Sequence, residues 1–328
     1  MSRGPAAQRV VPAPLVAFSH QRRFVDGDRV FLGLALGSAV VILLIALIFI
    51  VALFIPALPS ITRFGLGFFT STTWDPVRQL FGALPAIYGT LVTSAIGLLI
   101  AFPIGLGAAL FLAEEAHLRF LRGPLSFAIE LLAGIPSVVI GLWAFVILTP
   151  IMRDKVDPFL GHAFGFLPLF QGTASGYGFL TAGVVLAIMV LPIMIALSRD
   201  VIRAVPRPLR EASLALGATK AETIWSVILP YARIGITGAV LLSLGRALGE
   251  TIAVTMVIGN RPEISASLFS LGYTLPSVIA NEFTEAVGNL YQGALFELGL
   301  VLVLITLVVN VLARLMVWRF AGSEPRSV

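Results

Sequence analysis

The chain has 328 residues, of which 58% are apolar and 12% are charged, and its mean hydropathy is +0.99. A water-soluble domain of this length would need more charged residues to cover its surface. The absence of cysteine excludes disulfides and thiolate metal ligands, and the three scattered histidines give no metal-ligand spacing. The composition therefore predicts an all-α integral membrane protein with no metal and no cofactor.

Long apolar segments predict about six transmembrane helices. Residues 30–55 contain one serine and no charge, and at 1.5 Å per residue they would cross a hydrocarbon core about 30 Å thick. The length of this first segment and its position after an arginine-containing tail favour a retained membrane anchor over a signal peptide. The six predicted spans are residues 30–58, 85–113, 125–150, 177–197, 235–259 and 294–317.

The positions of lysine and arginine predict the orientation of these spans. Sixteen of the 22 lie in the N-terminal tail, the loops after the second and fourth spans, and the C-terminal end. Five lie in the remaining loops, and Arg246 lies inside a span. By the positive-inside rule, both termini face the cytoplasm. Since the basic residues follow topology and do not form one basic face, nucleic acid is not an expected partner.

The spans divide the chain into five parts. Residues 1–29 form a polar cytoplasmic tail that we expect to be mobile, residues 30–58 the first transmembrane helix, and residues 59–84 an extracytoplasmic loop. A membrane core of residues 85–320 follows, with a cytoplasmic loop at residues 199–233, and residues 321–328 form a C-terminal tail.

Within that cytoplasmic loop, the sequence predicts a helix, a break and a second helix. Pro208 suits the first turn of a helix, and Gly217 suits the residue that ends it. Thr219 followed by Glu222 has the spacing of a capping box, so a second short helix should begin there and end at Pro230.

The second helix should carry an exposed apolar stripe of Ile224, Val227 and Ile228, which share one helical face. Such a stripe could insert into the groove of a partner protein. Alternatively, the two helices could lie on the lipid headgroups, where nearby arginines would help to bind them. The physical argument alone leaves both interpretations open.

A family resemblance favours the partner-docking interpretation. The loop contains a spaced pattern: Glu211-Ala212-Ser213, three residues, Gly217, nine residues and then Val227-Ile228-Leu229-Pro230. This pattern is similar to the EAA motif of ABC-importer permeases, with Ser213 replacing alanine and Val227 replacing isoleucine. In that family, the element docks into a groove of the ATP-hydrolysing subunit. The resemblance implies this role for the motif positions Glu211, Ala212, Gly217, Ala218, Leu229 and Pro230.

Three further segments, residues 81–94, 130–145 and 245–260, resemble the PstC family of phosphate-importer permeases more than its partner family PstA. The resemblance implies a type I, MetI-like permease in a bacterial plasma membrane, without enzymatic activity of its own. Its implied partners are a PstA-like second permease subunit, a PstB-like ATPase dimer and an extracytoplasmic PstS-like phosphate-binding protein. The chain has no Gly-Lys dipeptide and hence no P-loop for ATP, which agrees with an ATPase on another chain.

Arg246 and Glu250 are charged residues within the predicted fifth span. They are four residues apart, so we expect them to share a helical face and to pair. A lone charge at mid-bilayer costs about 2.5–3.5 kcal/mol on insertion scales, so such residues face protein or water. The planar donor fork of arginine matches phosphate oxygens. We expect Arg246 to line the substrate path and Glu250 to hold it in place; the alternative is a static ion pair that braces the helices.

Two other polar residues are candidates for the substrate path. Glu130 and Ser137 are seven residues apart in the predicted third span and would share a face of it. Glu130 could reach the same cavity as Arg246, or it could lie near the cytoplasmic headgroups. Glu297, near the start of the sixth span, is explained by a side chain that extends to the outer interface.

Other functions stay open beside an ATP-driven phosphate permease subunit. The cargo could be another oxyanion, such as molybdate or sulfate. A secondary transporter or channel would need no docking segment and would work without ATP. A membrane-anchored scaffold would need no charged pair within its spans.

Overall fold

The computed structural model describes residues 21–114 and 119–321, which form helices and no β-strand beyond isolated bridges. The chain divides into two compact units, residues 1–52 and 53–328. In chain order the helices are α1 (Gln21–Phe64), α2 (Gly67–Thr70), α3 (Leu84–Glu114), α4 (Arg119–Gly134), α5 (Ser137–Phe164), α6 (Phe179–Arg203), α7 (Arg207–Ala215), α8 (Lys220–Leu248), α9 (Ile252–Val257), α10 (Leu275–Glu282) and α11 (Asn289–Ala321).

Six of these helices, α1, α3, α5, α6, α8 and α11, are long and apolar enough to cross a membrane. This confirms the predicted number of spans among the described residues. Helix α1 begins at Gln21 and ends at Phe64, so it takes in the end of the predicted tail and the start of the predicted outer loop. The rest of the N-terminal tail and residues 322–328 lie outside the described residues. In the first unit, every described side chain from residue 27 to residue 52 is exposed.

The predicted third span, residues 125–150, is wrong. Helix α4 ends at Gly134, and α5 begins at Ser137 and continues to Phe164, which lies in the predicted outer loop. Pro136 between them has an extended backbone, with φ −58° and ψ 140°. Proline lacks an N–H and disfavours a helical conformation of the preceding residue, so the helix ends before it.

The predicted fifth span, residues 235–259, is also displaced along the chain. Helix α8 begins at Lys220, passes through Pro230 and ends at Leu248, where Gly249–Thr251 separate it from α9. The second helix of the predicted helix–break–helix therefore does not end at Pro230. A five-residue π turn, Ile224–Ile228, comes just before this proline, so the missing N–H falls where the hydrogen-bond ladder is already offset.

Helices α3 and α6 form the most extensive helix pair of the second unit. Small residues allow their backbones to approach closely: a Cβ atom on Gly97 would lie 2.9 Å from the Cβ of Leu186, and one on Gly183 would overlap Ile96. In lipid, such close backbone contact is what favours a protein neighbour over a lipid chain. The α3–α6 pair is therefore the packed centre against which α5, α8 and α9 lie.

Apolar clusters fill both ends of this unit. At one end, Phe68, Phe81 and Leu275 pack between α2, α3, α10 and α11. At the other end, Leu112 of α3, Ile202 of α6 and Ile228 of α8 are buried together beside α7. The second cluster forms the base from which α7 and the turn after it project.

Candidate functional site

The predicted helix–break–helix is present at residues 207–248. Helix α7 ends before Gly217, whose φ of +89° is the left-handed conformation that glycine adopts readily. The capping box is confirmed: Thr219 Oγ1 accepts the N–H of Glu222 at 3.3 Å, and Glu222 Oε2 accepts the N–H of Thr219 at 2.7 Å. The local sequence therefore sets both the end of α7 and the start of α8.

The predicted exposed stripe is wrong. Ile228 is 1% exposed and lies in the apolar cluster with Leu112 and Ile202, and Ile224 and Val227 are partly buried. The reason is that α8 does not stop at Pro230 but runs on beside α3 and α6, so its apolar face points into the bundle. The apolar side chains that remain exposed around the break are on other positions: Leu214, Leu216 (90%) and Trp225 (73%).

The six predicted docking positions separate into two groups. Glu211, Ala212 and Gly217 are exposed on α7 and on the turn after it, with Ala218 partly buried beside them. Leu229 and Pro230 lie 11 or more residues further along, in α8, where Leu229 packs against the buried cluster. The first group forms a surface that projects from the bundle, and the second lies where α8 joins it.

The structure does not bring Arg246 and Glu250 together. Arg246 lies in the last turn of α8 and is exposed, whereas Glu250 lies after the helix has ended and is 9% exposed. Glu250 Oε1 accepts the N–H of Ala253 at 3.4 Å and so serves the first turn of α9, where a carboxylate also suits the helix dipole. Within the described residues Arg246 forms no ion pair, and the predicted pairing is wrong because Gly249 ends the helix between the two residues.

Glu130 and Ser137 are separated in the same way. Glu130 is exposed on α4, and Ser137 is the first residue of α5, beyond the break at Pro136. The shared face predicted from their spacing does not exist, since it required one continuous helix. Neither residue is placed beside Arg246 by a contact in the described part of the chain.

Two buried acids were missed or misinterpreted from the sequence. Glu297 is 4% exposed, close to Ser60 of α1, and does not extend to the interface as predicted. Asp157 of α5 is 2% exposed and accepts the N–H of Gly176 at 3.2 Å. Asp157 fell in a predicted loop, so only a correct boundary for α5 would have indicated its burial.

Comparisons with known proteins agree with this architecture. The binding-protein-dependent transport system inner membrane component family matches residues 101–321. The phosphate transport system permease protein PstC of Mesorhizobium japonicum is 45% identical over 302 residues, which cover 91% of this chain and 92% of that protein. PstC of Xylella fastidiosa (strain Temecula1) is 50% identical over 264 residues, covering 79% of this chain and 81% of that protein.

Solved structures show the same fold. A bacterial alginate ABC transporter in complex with a pentasaccharide-bound periplasmic protein aligns with a TM-score of 0.61 and 16% identity, over 92% of this chain and 99% of that one. The inward-facing MetNI methionine ABC transporter aligns with a TM-score of 0.57 and 19% identity, over 76% of this chain and 99% of that one. The fold is therefore that of a MetI-like ABC permease. The chain is a multi-pass membrane protein and belongs to the family of binding-protein-dependent transport system inner membrane components.

Proposed function

We propose that this chain is the permease subunit of an ATP-driven phosphate importer. The observation that carries the proposal is 45% identity to a phosphate transport permease over 91% of the chain. Because permease subunits of this family provide the path and not the motor, ATP is hydrolysed by another chain. The function is the passage of an anion, with no bond of the substrate made or broken.

The partners follow from the same relatives. The complete importer contains a PstA-like second permease subunit, a PstB-like ATPase dimer and a PstS-like extracytoplasmic phosphate-binding protein. Both termini and the α7–α8 segment face the cytoplasm, where most lysines and arginines lie. The exposed motif residues Glu211, Ala212 and Gly217 then face the ATPase, and Leu216 and Trp225 supply apolar contact area around them.

Helix α8 supports a mechanical connection between docking and substrate path. It runs without a break from the capping box at Thr219 to Arg246, a length of roughly 40 Å at 1.5 Å per residue. A continuous helix transmits displacement better than two helices joined by a loop. Movement of α7 and the start of α8 is therefore transmitted along α8 to Arg246.

Arg246 is the residue that we assign to the anion. Its guanidinium keeps its charge and offers several donors in one plane, and no carboxylate in the described residues occupies them. Glu250 takes a different role from the one expected: its Oε1 accepts the N–H of Ala253 in the first turn of α9, beyond the break at Gly249 that ends the helix after Arg246. Glu130 and Ser137 line the path only in the assembled importer, because no contact in the described residues places them beside Arg246.

The test is phosphate uptake into vesicles that contain all the subunits. Arg246→Gln should lower ATP-dependent uptake by about 10- to 150-fold, because a hydrogen bond to a charged group contributes roughly 1.5–3 kcal/mol. The matched control is Arg261→Gln, an exposed arginine that pairs with Glu263 outside α8. Assembly is measured separately by co-purification of the subunits.

The outcomes separate the alternatives. Normal uptake by assembled Arg246→Gln importer would contradict the role of Arg246. Uptake by the isolated chain without ATP would instead favour a secondary transporter. Stronger competition by sulfate or molybdate than by phosphate would change the assigned cargo and leave the mechanism intact.

A further inference from the structure

Helix α7 is held against the bundle by polar contacts and not by buried apolar side chains. It is nine residues long and none of its side chains is buried, so apolar packing does not fix it to the bundle. What remains are its two chain connections and its polar contacts. Within the described residues, two side chains make these contacts: Ser213 Oγ lies 3.0 Å from Thr223 Oγ1 of α8, and Arg210 points the other way, to α3 and α6.

The Arg210 guanidinium contacts both of those helices at once. Its Nη1 lies 2.6 Å from Glu114 Oε1 at the end of α3, and its Nη2 donates to the carbonyl oxygen of Ile202 at 2.6 Å, near the end of α6. The side chains of Arg210 and Glu114 are only 20% and 19% exposed, so water screens their attraction less than it would on an open surface. One side chain thus joins three helices.

The acceptors explain why an arginine is needed there. The last carbonyl groups of a helix have no partner within it, and they carry partial negative charge. Glu114 adds a full negative charge at the end of α3, where the helix dipole disfavours it. Arg210 neutralises Glu114 and adds a charged donor to the Ile202 carbonyl, which also accepts the N–H of Val205 at 3.3 Å. Beside it, Arg203 Nη2 donates to the Leu112 carbonyl at 3.0 Å and links the ends of α6 and α3.

We propose that Arg210 is a positioning residue that latches the docking helix α7 to the ends of α3 and α6. The inference rests on the proposed function, in which the ATPase acts on α7. Through the latch, displacement of α7 reaches the α3–α6 pair, the packed centre of the bundle, as well as α8. Without it, the described part of the chain would hold α7 only by its two chain connections and the Ser213 contact, and ATPase movement would displace α7 with less effect on α3 and α6.

The central experiment compares transport with ATP hydrolysis in the complete importer. With Arg210→Ala, the ATPase should still bind and hydrolyse ATP, because the exposed docking residues are unchanged. The amount of phosphate moved per ATP should fall by roughly 5- to 150-fold, the range typical of coupling between two sites. An unchanged ratio of transport to hydrolysis would overturn the latch.

A charge exchange distinguishes a latch from a loss of folding. Glu114→Arg alone places two arginines together and should uncouple as strongly as Arg210→Ala. Combining Glu114→Arg with Arg210→Glu restores the ion pair, though not the bond to the Ile202 carbonyl, and should recover most of the lost coupling. Failure of the double variant to exceed either single variant would contradict the proposal.

Arg207→Gln is the matched control, since it removes the same charge one turn away on α7, from a side chain with no ion pair in the described residues. An equal loss of coupling in Arg207→Gln would show that the charge of α7, and not its bridge to α3 and α6, matters, and would overturn the latch. Failure of the wild-type chain to bind any ATPase would instead refute the proposed function.

Discussion

Glu282, at the end of α10, joins three separate parts of the chain through one carboxylate oxygen. Its Oε2 accepts the indole N–H of Trp74 at 2.6 Å and the hydroxyl of Tyr291 at 2.7 Å. Trp74 comes from the segment between α2 and α3, and Tyr291 from the start of α11. The ring of Phe81 packs against both donors, edge-on to Trp74 and stacked on Tyr291, so the donors are held in place. We predict that Glu282→Ala destabilises the fold more than any exposed carboxylate change.

The magnitude follows from these two bonds. A hydrogen bond to a charged group contributes about 1.5–3 kcal/mol, but Trp74, Glu282 and Tyr291 are only partly buried, so water can replace part of the loss. We therefore expect Glu282→Ala to cost roughly 2–4 kcal/mol and Glu282→Gln, which keeps an acceptor without the charge, roughly half of that. Trp74→Phe removes one donor and should cost about 1–2 kcal/mol.

The assay is equilibrium unfolding in mixed micelles with a rising fraction of denaturing detergent, followed by tryptophan fluorescence. The control is Glu285→Gln, an exposed carboxylate three residues further on, which should change stability by less than about 0.5 kcal/mol. In the Glu282→Ala background, Trp74→Phe should have almost no further effect, because its bond is already lost. Additive losses from the two changes, or equal losses from Glu282 and Glu285, would refute the reasoning.

Two further predictions concern packing and pH. Gly97→Val should destabilise the α3–α6 pair by about 1–3 kcal/mol or more, because its Cβ would lie 2.9 Å from the Cβ of Leu186. Gly107→Val on the same helix meets open space, so it should be nearly neutral in the same detergent unfolding assay. Burial raises the pKa of the Tyr273 hydroxyl, so the stability that this neutral group contributes is complete below its unfolded pKa of about 10 and is lost as the pH rises above it. Tyr273→Phe should reduce the fall in stability at alkaline pH, measured by unfolding at pH 8 to 11; an unchanged alkaline profile would contradict this.

The features that the sequence predicted correctly depend on local chemistry. An apolar run as long as residues 30–55 is stable only in lipid or in a large protein core. The number of spans could therefore be predicted from the apolar runs along the chain. The capping box at Thr219 and Glu222 followed because both partners lie within one turn. Gly217 ended α7 for a similar reason, the backbone conformation of a single residue.

The breaks within the apolar segments could not be predicted in the same way, because the same residue type has different effects at different positions. Pro103 and Pro192 lie inside the continuous helices α3 and α6, whereas Pro136 separates α4 from α5. Membrane helices tolerate proline where neighbouring groups satisfy the freed carbonyl, and that depends on tertiary packing. The predicted pairing of Arg246 with Glu250 failed for this reason, since it assumed a continuous helix through Gly249.

The burial of Ile228 changes how force can pass through α7 and the start of α8. An exposed stripe on a short, separate helix would have made that helix the partner-facing element, joined to the bundle by a flexible link. Instead, the face with Ile228 is packed in the bundle, and the exposed surface lies on α7 and its turn. A partner that moves α7 therefore acts on an element with no apolar anchor of its own. Its displacement reaches α6 through the short connection at residues 204–206, α3 and α6 together through the Arg210 side chain, and α8 through the turn at Gly217 and the Ser213 contact.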